Sequence, residues 1–530
     1  MSIKNNNSKN TLWRPTLLVV LIALILVLGS ALPCAKIGSY QTKRLAFWPL
    51  LPSDTNAQQP PQPIDTSTRS SFDTTNTALA AQKNDLLPPS NRSNLSGEKN
   101  IAVTNNASSK NKDAMVLATV LHIDNNSLEN LSANTRQLPG FAGIVFPDSV
   151  KPKTLIEDFT PAGNLLTKLA QQLNNAANDE GKVRIGFFGD SFIEGDILVG
   201  DVREQLQFLF GGIGVGYMPI TSLTLKNQRP TVEHDFSGWT TYNLLRNKEA
   251  QLQLGFSGQA FAPEVGNMVH YGGTSFKKYN QKLPNIAVFY QSDYPVAMQL
   301  SINQAQAINY VMPAAANIQG LAKFELLGAN AKQIDAFFDS QHLPTIYGFA
   351  FEDQAGVYVN NFAVRGNSGI ALDKITDPIW QSFDTLYHHQ LIFLQFGPNI
   401  ISSKTTQFGW YERAMSKVIS RLQAALPNTA FILLGVNDIA YLDNGVYKTV
   451  PAVLTLEETQ RNLAKKHGIG YWSILKAMGG EGSMAQFGQA NPPLANKDFV
   501  HVNFKGGKII ANRLIEALLY KMKFEAKAGS

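Results

Sequence analysis

The sequence predicts an α/β fold in which helices cover both faces of a parallel sheet. Two observations predict it: short apolar runs that end in turn residues, and helical stretches between those runs. We expect four parallel strands, at 183–188, 358–364, 391–396 and 429–434. In such folds ligands bind at the carboxyl ends of the strands, so the residues that follow these runs are the first candidates for a site.

A strand-rich stretch lies between the first two of these strands. Short β-type patterns alternate there with turn residues, as in AQLQLGFSG, IAVFYQ, VAMQLSI, INYVMP and AKFELLG. This spacing is typical of a β-sandwich. We therefore predict an inserted β-rich domain at 227–350, with the α/β domain in two pieces, 137–226 and 351–530.

An uncharged apolar run near the amino terminus predicts a membrane anchor. Residues 17–35 carry no charge, and at about 1.5 Å per residue they nearly cross a hydrocarbon core of about 30 Å. We predict a cytoplasmic tail and transmembrane signal anchor over 1–36 and a disordered low-complexity linker over 37–136. A cleaved signal peptide is the alternative, although its apolar part usually spans about 7–15 residues.

The composition excludes several classes of protein. The 530 residues include 46 Lys+Arg and 40 Asp+Glu, and a net charge of +6 is too dilute over this length to indicate nucleic-acid binding. A single cysteine, Cys34, excludes an intramolecular disulfide and any cysteine-based zinc or iron–sulfur site. A hydrophobic content of 44% excludes a wholly disordered chain.

Ser191 is the candidate nucleophile. It follows the predicted strand 183–188 directly, in Gly189-Asp190-Ser191, and a helical pattern resumes at 201–210. A serine in the turn after a parallel strand is exposed at the carboxyl edge of the sheet, where a base can reach its hydroxyl. Three such common residues also recur by chance, and a helix-capping serine is the alternative interpretation.

His501 is the candidate base among the eight histidines because of its neighbours. Asp498 lies three residues before it, and within one turn that carboxylate can reach an imidazole N–H. Such a hydrogen bond fixes the tautomer of the ring and stabilises the imidazolium. A surface loop with incidental Asp and His residues is the alternative.

Acyl transfer also requires N–H donors for the oxyanion. Gly366 follows the strand 358–364 and can present its backbone N–H, and Asn399 follows the strand 391–396 and can donate its side-chain amide. Both positions fall at the same predicted sheet edge as Ser191.

These residues together resemble the SGNH hydrolases, a GDSL-type esterase superfamily. The resemblance covers residues 183–224 and about 357–522, in the order of the family's blocks. The matching positions are Gly189-Asp190-Ser191 for the nucleophile block, Gly366 for the glycine block, Gly397-Pro398-Asn399 for the G-x-N block, and Asp498 with His501 for the last block.

The resemblance implies a three-layer α/β/α, flavodoxin-like domain with a serine hydrolase site. Ser191 is then the nucleophile, His501 the general base and later the general acid, and Asp498 the residue that orients His501. The oxyanion hole is formed by the N–H of Ser191, the N–H of Gly366 and the amide of Asn399. No metal and no cofactor is implied.

Two departures and one competing match qualify the resemblance. Phe192 replaces the leucine that follows G-D-S, and Ile400 replaces the aspartate that often follows the asparagine. Gly435-Val436-Asn437-Asp438 fits the G-x-N-D pattern better by letter. We assign Asn399 because a helical stretch follows it and 428–435 is then the next strand. Asp438 can still line the cleft from its own strand end.

The strand-rich insert resembles, in architecture only, the carbohydrate-binding-module-like insert of bacterial peptidoglycan O-acetylesterases in this superfamily. With the anchor and the linker, this implies a serine esterase that removes O-acetyl groups from a cell-envelope polysaccharide through an acyl-enzyme on Ser191. An O-acetyltransferase on the same type of glycan and a non-catalytic polysaccharide-binding or assembly protein are the alternatives. We expect an O-acetylated polysaccharide as substrate and no nucleic-acid partner. The expected location is the bacterial inner membrane, single-pass, with the catalytic domain in the periplasm or outside the cell.

Overall fold

The computed structural model describes residues 36–37, 40–41, 138, 140–141, 151–222, 229–245, 252–315, 320–339, 342, 344–402, 405 and 407–528, with side chains up to 523. The predicted anchor run at 17–35 and the linker beyond residue 41 lie outside the described residues. Within the described part of the chain, no helix is long and apolar enough to cross a membrane.

The elements that follow are numbered in chain order. The described strands are β1 (Lys36–Ile37), β2 (Tyr40–Gln41), β3 (Glu157–Asp158), β4 (Lys182–Gly189), β5 (Gly216–Met218), β6 (Val232–Asn243), β7 (Gln259–Gly273), β8 (Ile286–Gln291), β9 (Val296–Ile302), β10 (Ile308–Met312), β11 (Ala322–Leu326), β12 (Gln333–Phe338), β13 (Thr345–Phe351), β14 (Gly356–Ala363), β15 (Leu391–Gln395), β16 (Ala430–Gly435), β17 (Ala440–Asp443), β18 (Val446–Thr449) and β19 (Gly470–Ser473). The described α-helices are α1 (Thr167–Ala177), α2 (Val199–Phe210), α3 (Asp377–Tyr387), α4 (Gly409–Ala425), α5 (Pro451–His467), α6 (Ile474–Met478), α7 (Ser483–Gln489) and α8 (Phe504–Ala528).

One sheet carries the candidate site, in the strand order β14-β4-β15-β16-β19-β3. Its first five strands run parallel to their neighbours, and β3 pairs antiparallel with β19 at one edge. The four strands predicted from the sequence are present as β4, β14, β15 and β16, with bounds within two residues of the prediction. The sequence did not predict β19 or the short edge strand β3.

Helices pack on both faces of this sheet because successive strand residues point to opposite sides. Ile185 and Phe187 of β4 belong to a core that includes the buried faces of α1, α2 and α8. Phe188, the next residue along the strand, belongs to a second core with α3, α4 and α5. Within α2 the buried residues Val199, Val202 and Leu206 recur at helical spacing. The predicted three-layer α/β/α arrangement is therefore present.

Nine strands between α2 and β14 form a second, antiparallel sheet. Its order is β10-β9-β12-β7-β13-β8-β11, with β5 on β13 and β6 on β7. The 15-residue strand β7 connects the two halves of this sheet. It pairs with β6 along most of the length of β7, with β12 through 269–272 and with β13 at Phe261. The antiparallel sheet has a buried core of its own, to which Val269, Ile334 and Phe349 belong.

Hydrogen bonds connect the strands of this region into one continuous sheet, and its description as a β-sandwich stays a prediction. The short strand β5 pairs with β13 and lies before the predicted start of the region at residue 227. Tyr217 and Phe256 of this region also pack against Phe362 of β14, at ring-centroid distances of 5.0 and 5.5 Å. The two sheets thus share part of a core, and the division of the chain into separate domains at 227–350 stays a prediction.

Candidate active site

The structure brings Ser191, His501 and Asp498 together at the carboxyl edge of the parallel sheet. The Ser191 Oγ lies 2.8 Å from the His501 Nε2, although 310 residues separate them. On the other side of the ring, the His501 Nδ1 lies 2.8 Å from an Asp498 carboxylate oxygen. With Nδ1–H donating to Asp498, Nε2 accepts the serine hydroxyl proton. A serine nucleophile and its general base would use this arrangement as a proton relay.

A tight turn places Asp498 under His501. The Asp498 Oδ1 accepts the backbone N–H groups of Val500 and His501, both at 3.0 Å, while Oδ2 faces the His501 ring. Burial acts to raise the pKa of Asp498, but the hydrogen bonds from the His501 ring and these backbone groups bring it below its usual value. The carboxylate therefore stays ionised at neutral pH and can stabilise an imidazolium.

The loop that carries His501 is held from two sides. The Asn437 amide donates to the Val500 carbonyl at 3.0 Å, and the Ala440 N–H donates to the Phe499 carbonyl at 3.0 Å. Tyr447 of the β17–β18 hairpin stacks on Phe499 with a centroid distance of 3.8 Å. The competing G-x-N-D match therefore contacts the loop that carries His501. Its last residue, Asp438, is fully buried.

The turn that presents Ser191 requires a glycine before it. A Cβ on Gly189 would lie 2.6 Å from the Ile193 side chain and 2.8 Å from the Gln395 Oε1. The Asp190 carboxylate then accepts the Phe192 N–H at 2.9 Å and closes the turn. The α-helix begins only at Val199, after a short 3-10 turn at Glu194–Asp196, so Ser191 is not at a helix amino terminus.

Asp190 is fully buried beside Ser191. Burial raises the pKa of its carboxyl to about 7, against the opposing effects of the Phe192 N–H, the His501 charge and the Gln395 and Asn399 side chains. A carboxyl group that gains and loses its proton near neutral pH thus lies one residue from Ser191.

Asn399 lies in this same cluster, as the sequence predicted from its strand end. Its Nδ2 donates to the Asp190 carboxylate at 3.0 Å and to the Asn367 carbonyl at 3.1 Å. The amide is therefore beside the Ser191 turn, with both hydrogens directed to protein oxygens in this state. Its role as an oxyanion donor stays a prediction, because donation requires one hydrogen to turn towards the substrate oxygen.

Gly366 lies at the neighbouring strand end. The Val364 N–H donates to the Gly189 carbonyl at 3.0 Å, which places the loop after β14 beside the Ser191 turn. Gly366 has a φ of +83°, a conformation that favours glycine, and a Cβ there would lie 3.3 Å from Leu245. The loop thus leaves the sheet at the edge where Ser191 lies, and the donor role of Gly366 also stays a prediction.

Sequence reasoning missed Gln395, the last residue of β15. Its side chain is buried, and its Oε1 lies 3.4 Å from the backbone N of Asp190. The available signal was a polar residue at the end of the apolar run LIFLQ, directly before the predicted G-x-N block. Among the described residues, no three His, Cys, Asp or Glu side chains come together as a candidate metal site.

Neither a protein-family model nor a curated protein sequence matches the chain. A solved structure described as a peptidoglycan O-acetylesterase in action aligns with a TM-score of 0.57 and 17% identity, over 70% of this chain and 99% of that chain. The chain therefore shares the fold of that structure.

More remote matches include a GDSL-like lipase from Parabacteroides merdae, with a TM-score of 0.25, 18% identity, and coverage of 31% of this chain and 73% of that chain. An acetyl xylan esterase matches with a TM-score of 0.24, 17% identity, and coverage of 30% of this chain and 81% of that chain.

Proposed function

We propose that the protein is a serine esterase that removes O-acetyl groups from a cell-envelope polysaccharide. The observation that carries this proposal is the continuous contact from the Ser191 Oγ to His501 and from His501 to Asp498, each 2.8 Å long. The three residues lie in the arrangement that activates a hydroxyl for attack on an ester.

In the proposed reaction the Ser191 Oγ attacks the acetyl carbonyl carbon while His501 takes the hydroxyl proton. The carbonyl oxygen becomes an oxyanion, for which the N–H groups of Ser191 and Gly366 and the Asn399 amide are the proposed donors. His501 then gives its proton to the departing sugar oxygen, which leaves an acetyl group on Ser191. A water molecule deprotonated by His501 attacks this acyl-enzyme and releases acetate.

The exposure of the site supports hydrolysis over transfer to a second sugar. The side chain of Asp498 is 42% exposed and that of His501 is 26% exposed, so solvent reaches the residue that activates the second nucleophile. An O-acetyltransferase on the same glycan requires that a sugar hydroxyl replace this water.

Two lines of support favour a cell-envelope glycan as substrate. The fold matches that of a protein described as a peptidoglycan O-acetylesterase, over nearly the whole length of that protein. The apolar run at 17–35 and the polar stretch after it suit a tethered enzyme. We infer a single-pass protein of the bacterial inner membrane with its catalytic part in the periplasm or outside the cell.

The test is hydrolysis of p-nitrophenyl acetate by the full chain and by Ser191→Ala and His501→Ala. We expect each substitution to lower kcat by about 10⁴-fold or more, with unchanged thermal unfolding. A matched control is Ser416→Ala, because the Ser416 Oγ also contacts a histidine, His467, at 2.7 Å. That variant should retain full activity.

The binding or assembly alternative makes the opposite prediction. If the parent neither hydrolyses the ester nor reacts at Ser191 with a fluorophosphonate probe, the esterase proposal is wrong. Binding of the intact glycan without turnover would then favour the non-catalytic reading.

A further inference from the structure

A cleft opens beside the Ser191 turn, between the edge of the parallel sheet and the antiparallel sheet. Glu194 and Arg365, from the loops after β4 and β14, line one side, and Arg229, His234 and Gln259 line the other. Only three residues of chain, at most about 3.6 Å each, lead from Ser191 to Glu194. A substituent bound in this cleft is therefore close to an ester bound at the nucleophile.

Arg229 gives one wall of the cleft an uncompensated positive charge. Its Nε lies 3.0 Å from the Asp196 carboxylate, and the same carboxylate accepts hydrogen bonds from Arg203 at 2.7 and 3.3 Å. Two guanidinium groups thus share one buried carboxylate. The Arg229 Nη2 is buried and has no hydrogen-bond partner within the part of the chain that the structure describes.

The other residues that contact Asp196, and the ring of His234, do not neutralise this charge. Thr231 and Asn361 complete the contacts of Asp196 and are uncharged. Burial lowers the pKa of His234 to about 4, so that ring is neutral at physiological pH. The six residues before Arg229, 223–228, include no Asp or Glu.

Burial also lowers the pKa of Arg229, even though Asp196 acts to raise it. The direction shows that the protein groups around this guanidinium compensate incompletely for its removal from water. An N–H left without an acceptor in such a place is costly, and an anionic ligand would supply the missing acceptor.

The mouth of the cleft holds a second, balanced pair of charges. The Arg365 Nε donates to the Glu194 carboxylate at 2.9 Å, and the arginine side chain is 47% exposed. Because these two charges balance each other, Arg229 sets the net charge of the cleft. Glu194 opposes the entry of an anion.

We propose that this cleft is a subsite for a carboxylate of the glycan, bound by Arg229. A planar guanidinium fits a carboxylate, which accepts its N–H groups directly. The inference deepens the proposed esterase function and rests on it for the position of the acetyl group. The substrate class is then an acidic O-acetylated polysaccharide, with the carboxylate on the acetylated sugar or on its neighbour.

Binding of sugars to the full chain tests the subsite without any turnover. The acidic probes are N-acetylmuramic acid, with an ether-linked lactyl carboxylate, and glucuronic acid, with a ring carboxylate. The neutral probes are N-acetylglucosamine and glucose. Calorimetry should show that each acidic sugar that binds does so with an affinity at least about tenfold higher than that of its neutral counterpart. This is the effect expected for one charge-assisted hydrogen bond. The tighter of the two acidic sugars identifies the source of the carboxylate.

Two variants with opposite expected effects on affinity test whether acidic sugars bind in this cleft. Arg229→Lys keeps a cation beside Asp196 but lacks the planar set of N–H donors of a guanidinium. It should weaken acidic-sugar binding about tenfold. Glu194→Gln removes the opposing charge at the mouth and should strengthen that binding severalfold. The matched control is Arg461→Gln, which breaks another surface pair, with Glu157 at 2.9 Å, and should change nothing.

Equal binding of acidic and neutral sugars would overturn the proposal, as would an affinity that neither cleft variant changes. The glutamate variant keeps the test valid if the lysine variant does not fold. Failure of the esterase proposal is distinguishable, because acidic sugars would still bind through Arg229 in a chain that does not hydrolyse p-nitrophenyl acetate. If the chain is an active esterase but binds acidic and neutral sugars alike, the subsite proposal is wrong and the esterase proposal stands.

Discussion

The buried carboxyl of Asp190 makes the stability of the fold depend on pH in a way that Asp190→Asn removes. In the folded chain burial raises its pKa to about 7, whereas an aspartate in an unfolded chain has a pKa of about 3.9. Between these values the native state holds a proton that the unfolded state has released. The stabilisation from this proton is complete below pH 4 and is lost as the pH rises through 7.

The magnitude follows from the separation of the two pKa values. Three pH units at about 1.36 kcal/mol each give a total loss of about 4 kcal/mol in the free energy of unfolding. By pH 5 roughly a third of this loss has occurred, and by pH 8 it is complete. The free energy of unfolding of Asp190→Asn, taken relative to that of the parent, should therefore rise by about 3 kcal/mol between pH 5 and pH 8.

Urea unfolding at pH 5 and pH 8, followed by tryptophan fluorescence, measures this difference for the parent and the variant. Ser191→Ala is the control, because it changes the adjacent residue and leaves the Asp190 carboxyl in place. It should show the pH dependence of the parent. A constant difference between Asp190→Asn and the parent at the two pH values would refute the reasoning.

The same substitution should lower activity for a separate reason. The Asp190 carboxylate accepts from both Phe192 and Asn399, whereas an amide at position 190 places an NH₂ group against one of these donors. Where the NH₂ group faces Asn399, the Asn399 amide loses the acceptor that holds its orientation. Asn399 is a proposed oxyanion donor, and loss of one such donor typically lowers kcat by about 10²–10³-fold.

Three further substitutions test the turn, the triad and the buried charges. Asp498→Asn should lower kcat for p-nitrophenyl acetate by about 10⁴-fold without changing thermal unfolding, and a loss below tenfold would exclude an orienting role. Gly189→Ala places a Cβ 2.6 Å from Ile193 and should lower the free energy of unfolding in urea by about 1–3 kcal/mol. Asp196→Asn leaves Arg203 without its carboxylate and should lower that free energy by about 3–5 kcal/mol at pH 7. Although burial acts to raise it, neighbouring arginines hold the pKa of Asp196 well below its usual range, so in the parent this stabilisation is lost only in strong acid.

Three of the four predicted strands share a simple physical property. β4, β15 and β16 are buried on both faces and read as continuous apolar runs bounded by turn residues, which separates them from the amphipathic helices. β19 has four residues, too few to show a periodicity, and its place is set by pairing with β16. In the antiparallel region single strands were recognisable. Their joining into one sheet depends on the length of β7, which pairs with β6, β12 and β13, and on pairings distant in sequence.

The positions of the site residues were predictable because parallel strands end at a common edge. Ser191, Gly366 and Asn399 each follow such a strand, and their proximity follows from the topology alone. Their hydrogen-bond partners were not predictable in this way. The contact between Asn399 and Asp190 joins residues 209 positions apart and depends on the register of β15 against β4.

The two asparagine motifs show why letters alone do not assign a role. Asn399 and Asn437 each follow a parallel strand, and the second motif matches the family pattern more fully. The strand order decides between them: β15 pairs with β4 and so places Asn399 beside the Ser191 turn, whereas β16 lies one strand further away. Asn437 lies instead under the loop that carries His501, where its amide binds the Val500 carbonyl. Each asparagine therefore serves one side of the Ser191–His501 contact, and the neighbour of its strand determines which side that is.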